Sequence, residues 1–301
     1  MVVAIVLAVL ATALLGPAGA LLDHLTWLER VPKTGVLLWQ ALGVAGSLSA
    51  IGAGLAVGVA RYHAGFFPGV AELANDILKG RILTGLGVPE AVGLTLAVDA
   101  AIVLGSVMGV TMVRVIRSRA RHRQLLDLVA LDSRCGDGTV TLDDARAAAY
   151  YIPGLRPRIV VSTGTLQILN DDELAAVLAH ERGHAQERHG LVLLPLSCAA
   201  DILRWVPYMR RAPRAVASLL EFAADDYAAR QQGPRLLASA LIRMATAMAP
   251  PPCAFGVAPA LVPRRVQRLL HSTGTSRALV TVGCALAGAL VALPIVIAVA
   301  T

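Results

Sequence analysis

The chain is poor in charge. Only 16% of its 301 residues are Asp, Glu, Lys or Arg, where a soluble domain carries about 25%. Hydrophobic residues make up 56% and the mean hydropathy is +0.66. This composition excludes a protein that is soluble throughout and points to one divided between membrane and water. Lysine is almost missing: Lys33 and Lys79 are the only two, so arginine carries nearly all the basic side of the +7 net charge. No nucleic-acid motif accompanies that basic balance. Direct nucleic-acid binding is therefore not expected, and a cytoplasmic surface beside anionic membrane lipid is. The four cysteines, Cys135, Cys198, Cys253 and Cys284, lack CxxC spacing, which excludes a disulfide framework and a cysteine zinc site. The N-terminus has neither a charged n-region nor a clear small-residue cleavage site, so its apolar run is expected to be a first transmembrane helix rather than a signal peptide. No internal repeat is present.

Apolar runs of bilayer-spanning length, about 20 residues, occur four times. Val2 to Leu22 is the first, with a kink expected at Gly16-Pro17. Gly35 to Ala60 is the second, rich in the small residues that let membrane helices approach closely. Leu86 to Val113 and Ala278 to Ala300 are the third and fourth. Between the second and third, Val70 to Leu83 is amphipathic and is expected at the membrane interface. Asp99 lies inside the third run, where a carboxylate is costly. An aspartate facing other helices or water accounts for it better than a proton-sensing site does. Arg114, Arg117, Arg119, Arg121 and Arg123 crowd the end of this run. By the positive-inside rule that end is cytoplasmic, both termini are outside, and the segment to about Arg277 is cytoplasmic. The expected division is 1–113 for a membrane region of three spans, 114–277 for a cytoplasmic domain, and 278–301 for a last span.

The middle segment is long enough for one domain of modest size. Ala147 to Ile152 and Arg158 to Ser162 read as strands joined by Pro153-Gly154. Asn170-Asp171-Asp172-Glu173 is a helix start, with Asn170 as cap and Glu173 three residues on. That helix runs into His180-Glu181-Arg182-Gly183-His184, a match to H-E-x-x-H. Positions i and i+4 share a helix face. His180 and His184 can therefore offer two imidazole nitrogens to one Zn²⁺. Glu181, displaced around the helix, can take a proton from a water that the metal activates. A polar surface helix with two solvated histidines would carry the same five residues, so the context downstream decides.

Downstream, Ser218 to Gln231 has helical spacing. Its Glu221 can complete a His₂Glu set that leaves one position for water. Asp225, one turn on, can accept the outer N–H of a ligand histidine and hold its tautomer. Leu191 to Met209 is apolar but interrupted by Pro195 and Pro207. It reads as a helix near the membrane, because a further span would put His184 and Glu221 on opposite sides. Pro250-Pro251-Pro252 is a linker, and Pro263 to His271 is basic and amphipathic. Its Arg264, Arg265 and Arg268 either face lipid or line the site, with lipid favoured. Peptide hydrolysis also needs an oxyanion donor, for which His189, Tyr227 and Arg265 are candidates.

The order of three spans, a cytoplasmic H-E-x-x-H domain and a final span resembles the BlaR/MecR-type antirepressor membrane zinc metallopeptidases. Arg158-Ile159-Val160-Val161 before Gly164, the block Glu173 to His189, and Glu221-x-x-x-Asp225 carry the resemblance. It implies a mainly α integral membrane protein of about four transmembrane helices, with an α+β gluzincin-like zinc metallopeptidase domain between the third and fourth. His180, His184 and Glu221 would be the ligands of one Zn²⁺ per chain, Glu181 the general base, and Asp225 a support behind a ligand. The implied substrate is a protein, a cytoplasmic helix-turn-helix repressor whose regulated cleavage answers cell-wall or antibiotic stress. Those sensors carry a penicillin-binding domain after the fourth span; with the sequence ending at Thr301, no such β-lactam sensor is expected here. The phrase Glu221 to Asp225 also looks like the Ste24/HtpX-type membrane proteases of protein quality control. A non-catalytic membrane receptor or scaffold is the alternative outside the enzymes.

Overall fold

Proline and glycine set the breaks between the first helices. The computed structural model describes residues 1–129, 139–152, 158–247, 261–271 and 276–300, and of residues 118, 119, 121–129 and 202 only the backbone. Helix α1 (Val2–Leu15) stops at Gly16 and α2 (Ala18–Asp23) resumes beyond Pro17, the kink that a residue without an amide hydrogen imposes. A 3-10 turn follows over Thr26–Arg30. Pro32 then opens α3 (Pro32–Gly58), at a position where the missing N–H would be unpaired anyway. Helix α4 (Phe66–Leu78) starts before the expected amphipathic stretch Val70 to Leu83 and ends within it, buries Gly69 and Leu73, and exposes Phe67, Ile77 and Leu78. Helix α5 (Val88–Val129) runs well past the expected end of the third apolar run. Asp99 is exposed on it. Arg114 and Arg117 are exposed too, whereas the side chains of Arg119, Arg121 and Arg123 lie outside the described ones. Helix α12 (Arg277–Val299) closes the chain.

Four helices among the described residues are long and apolar enough to cross a membrane: Val2–Asp23, Pro32–Gly58, Val88–Arg117 and Arg277–Val299. Helix α3 is the centre of this group and packs against α1, α5 and α12. Its small residues allow the contact: at Gly54 a Cβ would lie 2.8 Å from the Gly93 carbonyl oxygen of α5, so the backbones touch.

The central part adds a three-stranded sheet in the order β1-β3-β2, from β1 (Thr139–Leu142), β2 (Ala149–Ile152) and β3 (Arg158–Ser162). β1 runs parallel to β3 and β2 antiparallel to it. β2 and β3 are the expected strands; β1 was not expected. The Pro153-Gly154 turn, the proline linker, Cys135 and Cys253 lie outside the described residues, while Cys198 and Cys284 are free thiols. Between the sheet and α12 the described residues form α6 (Thr163–Ile168), α7 (Asp171–Gln186), α8 (His189–Ile202), α9 (Pro207–Gln232), α10 (Pro234–Ala247) and α11 (Leu261–His271).

The interrupted stretch from Leu191 to Met209 is two helices rather than one. Pro195 is accommodated inside α8, and Pro207 begins α9. Helix α8 lies beside α5, and Gln40 of α3 donates to the Val192 carbonyl (3.3 Å). The first half of α9 buries Tyr208, Ala212, Val216 and Leu219 in one cluster with Trp39, Leu42 and Ala45 of α3. The Tyr208 hydroxyl donates to the Trp39 carbonyl at 2.8 Å. Two large aromatic side chains with a satisfied polar group make this the heaviest contact between an apolar helix and the central part. The second half of α9 carries Glu221 and Asp225, so a candidate metal ligand is anchored on α3.

Candidate metal centre

The site is set by how α7 starts and how closely α9 can approach it. The Asn170 side chain accepts from the Glu173 amide (2.8 Å) and Glu173 accepts from the Asn170 amide (3.2 Å), so the expected capping box is formed. Glu173 also accepts from Ser239 (2.7 Å) and pairs with Arg243 of α10, which fixes the helix start against its neighbour. One position inside the H-E-x-x-H stretch, Gly183, is tight for a side chain. A Cβ there would meet the Tyr227 ring of α9 at 3.2 Å. The glycine lets α9 lie against the histidine face of α7.

His180, His184 and Glu221 are brought together by that approach. His180 Nε2 lies 3.2 Å from His184 Nε2 and 3.5 Å from Glu221 Oε2, and His184 Nε2 lies 3.5 Å from Glu221 Oε1. Ligand atoms about 2.0–2.1 Å from a tetrahedral zinc are separated from one another by about 3.3 Å. The three observed separations bracket that edge length, and the donor set is a chemistry that zinc prefers. The residues present fit a zinc ion.

Each histidine also has a partner at its other nitrogen. His180 Nδ1 lies 3.0 Å from Asp225 Oδ1. Asp225 is fully buried and takes two hydrogen bonds from Arg265, at 2.9 Å from Nε and 2.6 Å from Nη2. Arg265 also reaches Glu221 (3.0 Å), and its Nη2 lies 3.2 Å from His180 Nε2. His184 Nδ1 lies 2.8 Å from His189 Nδ1. With both outer nitrogens engaged, Nε2 is the atom each ring turns toward Glu221.

Electrostatics separates the two rings in the metal-free chain. Burial and the Arg265 cation work against a charged His180, but Asp225 and Glu221 outweigh them and it is pushed up to about 9. Burial, then the His180 cation, holds His184 down at about 3. For Glu181 burial is the largest influence; the His180 cation opposes it, Glu221 adds to it, and the carboxyl is pushed up to about 7. The backbone amide of Tyr151 in β2 bonds the Glu181 carboxylate. Burial works against a charged Glu221, yet the His180 hydrogen bond and the cations around it bring it down to about 2. A glutamate that exchanges its proton near neutrality, next to a preformed ligand set, is suited to acid–base work.

Of the three oxyanion candidates, only Arg265 borders the ligand atoms. His189 is buried behind His184, and the Tyr227 hydroxyl donates to Gln186 (2.9 Å) at the exposed end of α7. The lipid-facing expectation for the arginines of α11 is corrected. Arg265 lines the site, Arg264 is paired with Glu29, and Arg268 donates to Asp226 (2.8 Å) and to the Glu29 carbonyl (2.6 Å). Carboxylates draw Arg265 and Arg268 inward, while Arg264 stays exposed beside Glu29. Neither Glu187 nor Lys33 is expected at the site from the sequence. Glu187 accepts from His189 Nε2 (3.1 Å) and from Lys33 Nζ (2.6 Å).

Residues 116–250 match the family model described as Peptidase family M48. Peptidases of that family are zinc metalloproteases, and the match covers His180, His184 and Glu221. Together with the apolar helices it supports a membrane-type zinc metallopeptidase. Neither curated proteins nor solved structures gave a match to the chain.

Proposed function

We propose that the protein is a multi-pass membrane zinc endopeptidase with His180, His184 and Glu221 as metal ligands and Glu181 as general base. The observation that carries this reading is the near-tetrahedral spacing of the three ligand groups, with Glu181 beside them and tuned to near neutrality. Zinc, when held there, supplies Lewis-acid chemistry that polarises a peptide carbonyl and acidifies water. Glu181 accepts a proton from the attacking water and delivers it to the leaving amine. Asp225 fixes the His180 ring. Arg265 holds Asp225 and presents a guanidinium edge beside the ligands, where it can face developing negative charge. β2 is an edge strand among the described residues, and the Tyr151 amide turns from it toward Glu181. An extended substrate backbone running along this edge would be presented to the metal.

The expected topology draws support from ion pairs. Asp23, Glu29 and Lys33, in the connection between the first two apolar helices, pair with Arg211 of α9, Arg264 of α11 and Glu187. That connection therefore shares a side with the metal centre, and with Arg114 and Arg117 at the end of the third apolar helix that side is the cytoplasm. Two settings fit the chemistry equally: cleavage of a cytoplasmic helix-turn-helix repressor, and turnover of membrane proteins as by Ste24/HtpX-type proteases. The test is the proteome of cells carrying wild type or Glu181→Gln, with and without cell-wall stress. Glu181→Gln should keep zinc and lose cleavage; a variant that still cuts overturns the assignment. A repressor cut only by the wild type supports the first setting. Accumulation of damaged membrane proteins in the variant supports the second.

A further inference from the structure

The hydrogen bonds behind His184 do not end inside the central part of the chain. They form a line that one set of tautomers satisfies throughout. With Nε2 left to a metal, His184 would donate from Nδ1 to His189 Nδ1, 2.8 Å away. His189, in the opposite tautomer, donates from Nε2 to Glu187 Oε2 (3.1 Å). Lys33 Nζ donates to Glu187 Oε1 (2.6 Å). His189 is buried, and burial holds its basicity below the ordinary histidine value, which suits a neutral acceptor. Glu187 is tied down by Lys33 and His189 against the effect of burial.

The backbone is bent to make this line. Arg188, between Glu187 and His189, has φ 52° and ψ 38°. Among the described residues only His63 is another non-glycine with positive φ. A left-handed arginine is disfavoured and persists where the surroundings require it. Here it reverses the chain between α7 and α8, so that the first residue of α8 returns beneath the His184 ring.

Lys33 is the second residue of α3, and that corner of the molecule meets elements that carry the metal site. A Cβ at Gly35 would meet Leu219 of α9 at 2.9 Å, two residues before Glu221. Glu29 holds Arg264 and Arg268, on either side of Arg265 in α11. The start of α3 is thus in contact with the helix that carries Glu221, the 3-10 turn just before it holds the helix that carries Arg265, and through Lys33 it reaches His184.

We propose that His189, Glu187 and Lys33 are positioning residues that set the orientation and basicity of His184, and that through them metal affinity depends on the placement of the membrane helix α3. The proposal rests on the zinc reading above. A ligand histidine's outer N–H partner fixes its tautomer and raises its strength as a donor. Here the last member of the series belongs to an apolar helix, so a shift of α3 in the bilayer would be felt at the metal.

The test uses the full-length protein in nanodiscs, stripped of metal and titrated with Zn²⁺ against a chromophoric chelator. Co²⁺ is then added and the visible ligand-field band recorded. His189→Phe should weaken Zn²⁺ binding about 10- to 100-fold, and Lys33→Met, one charge further out and half in water, about 3- to 10-fold. Both should move the Co²⁺ band in the same direction. Lys33→Arg should restore affinity to within about twofold, because the cation is kept. Lys79→Met, which removes the other lysine, should change nothing. Should His189→Phe fail to fold, exposed Lys33 carries the test. Wild-type affinity and an unmoved band in Lys33→Met would overturn the link to α3. A wild-type protein that binds neither metal would instead overturn the zinc reading itself.

Discussion

His180 and His184 sit one helical turn apart on α7, yet the walls behind them come from different parts of the chain. Behind His180 stands Asp225, fully buried and clamped by Arg265. Behind His184 stands a second histidine, then Glu187, then a lysine whose side chain is 62% exposed at the start of an apolar helix. Both walls end in a carboxylate–cation pair. One is sealed between α9 and α11, and the other opens on the junction with α3. The sealed wall holds a ligand by desolvated charge, where breaking either partner is expensive. The open wall holds one by a line of hydrogen bonds whose last member is cheap to perturb. A site built this way can be rigid on one side and responsive on the other.

The comparison breaks most severely on the sealed wall. Asp225→Ala removes the anion behind His180 and leaves the Arg265 guanidinium buried, with Glu221 its nearest remaining carboxylate. Removing one partner of a buried pair costs about 3–5 kcal/mol. The variant should therefore melt well below the wild type in nanodiscs and lose at least about tenfold in zinc affinity, the usual cost of an outer partner of a ligand. An unchanged melting curve would mean that the pair does not hold α9 to α11.

Proton release on metal binding sharpens the same contrast. His180 in the metal-free chain is pushed up to about 9 and carries a proton at neutral pH, which zinc must displace. His184 is held at about 3 and has none to lose. At pH 8, above the value of about 7 for Glu181, binding should release about one proton per zinc. Apparent affinity should then fall about tenfold for each unit that pH drops below 9 and level off above it. Calorimetry in buffers of different ionisation enthalpy reads this number. Release of two protons would mean that both rings are charged and the walls are alike. Asp225→Asn should lower the release at pH 8, because the anion that sustains the His180 cation is gone.

What the sequence made legible follows from what is local. H-E-x-x-H and the Asn170–Glu173 cap lie within one helix, so spacing alone puts their atoms together. The four apolar runs are compositional. Glu221 and Asp225 were found because they share a helix face. β1 was missed because it is only four residues long and its fully buried positions, Thr139 and Thr141, are the polar ones, with Val140 and Leu142 only half-buried. For Arg265 the sequence favours lipid over the site, while keeping it as an oxyanion candidate, because its partner lies 40 residues away on another helix and a basic amphipathic segment looks the same whether it meets lipid or a buried carboxylate. The Lys33–Glu187 pair spans 154 positions, and no periodicity connects its members. Even so, Lys33 is one of two lysines in a chain that otherwise uses arginine.

The smallest effect separates a positioning role from a structural one at the open wall. Lys33→Met removes a charge whose side chain stands mostly in water, and exposed ion pairs contribute about 0–1 kcal/mol to stability. Its melting temperature in nanodiscs should stay close to wild type, with the Pro32 and Gly35 contacts of the α3 start unaltered. The cleavage rate at low zinc should fall all the same, and added zinc should restore it, because what is lost is the basicity and orientation of His184 rather than the fold. A loss of stability comparable to that of Asp225→Ala would place Lys33 among the residues that hold the two halves of the molecule together. The walls would then differ only in where they lie.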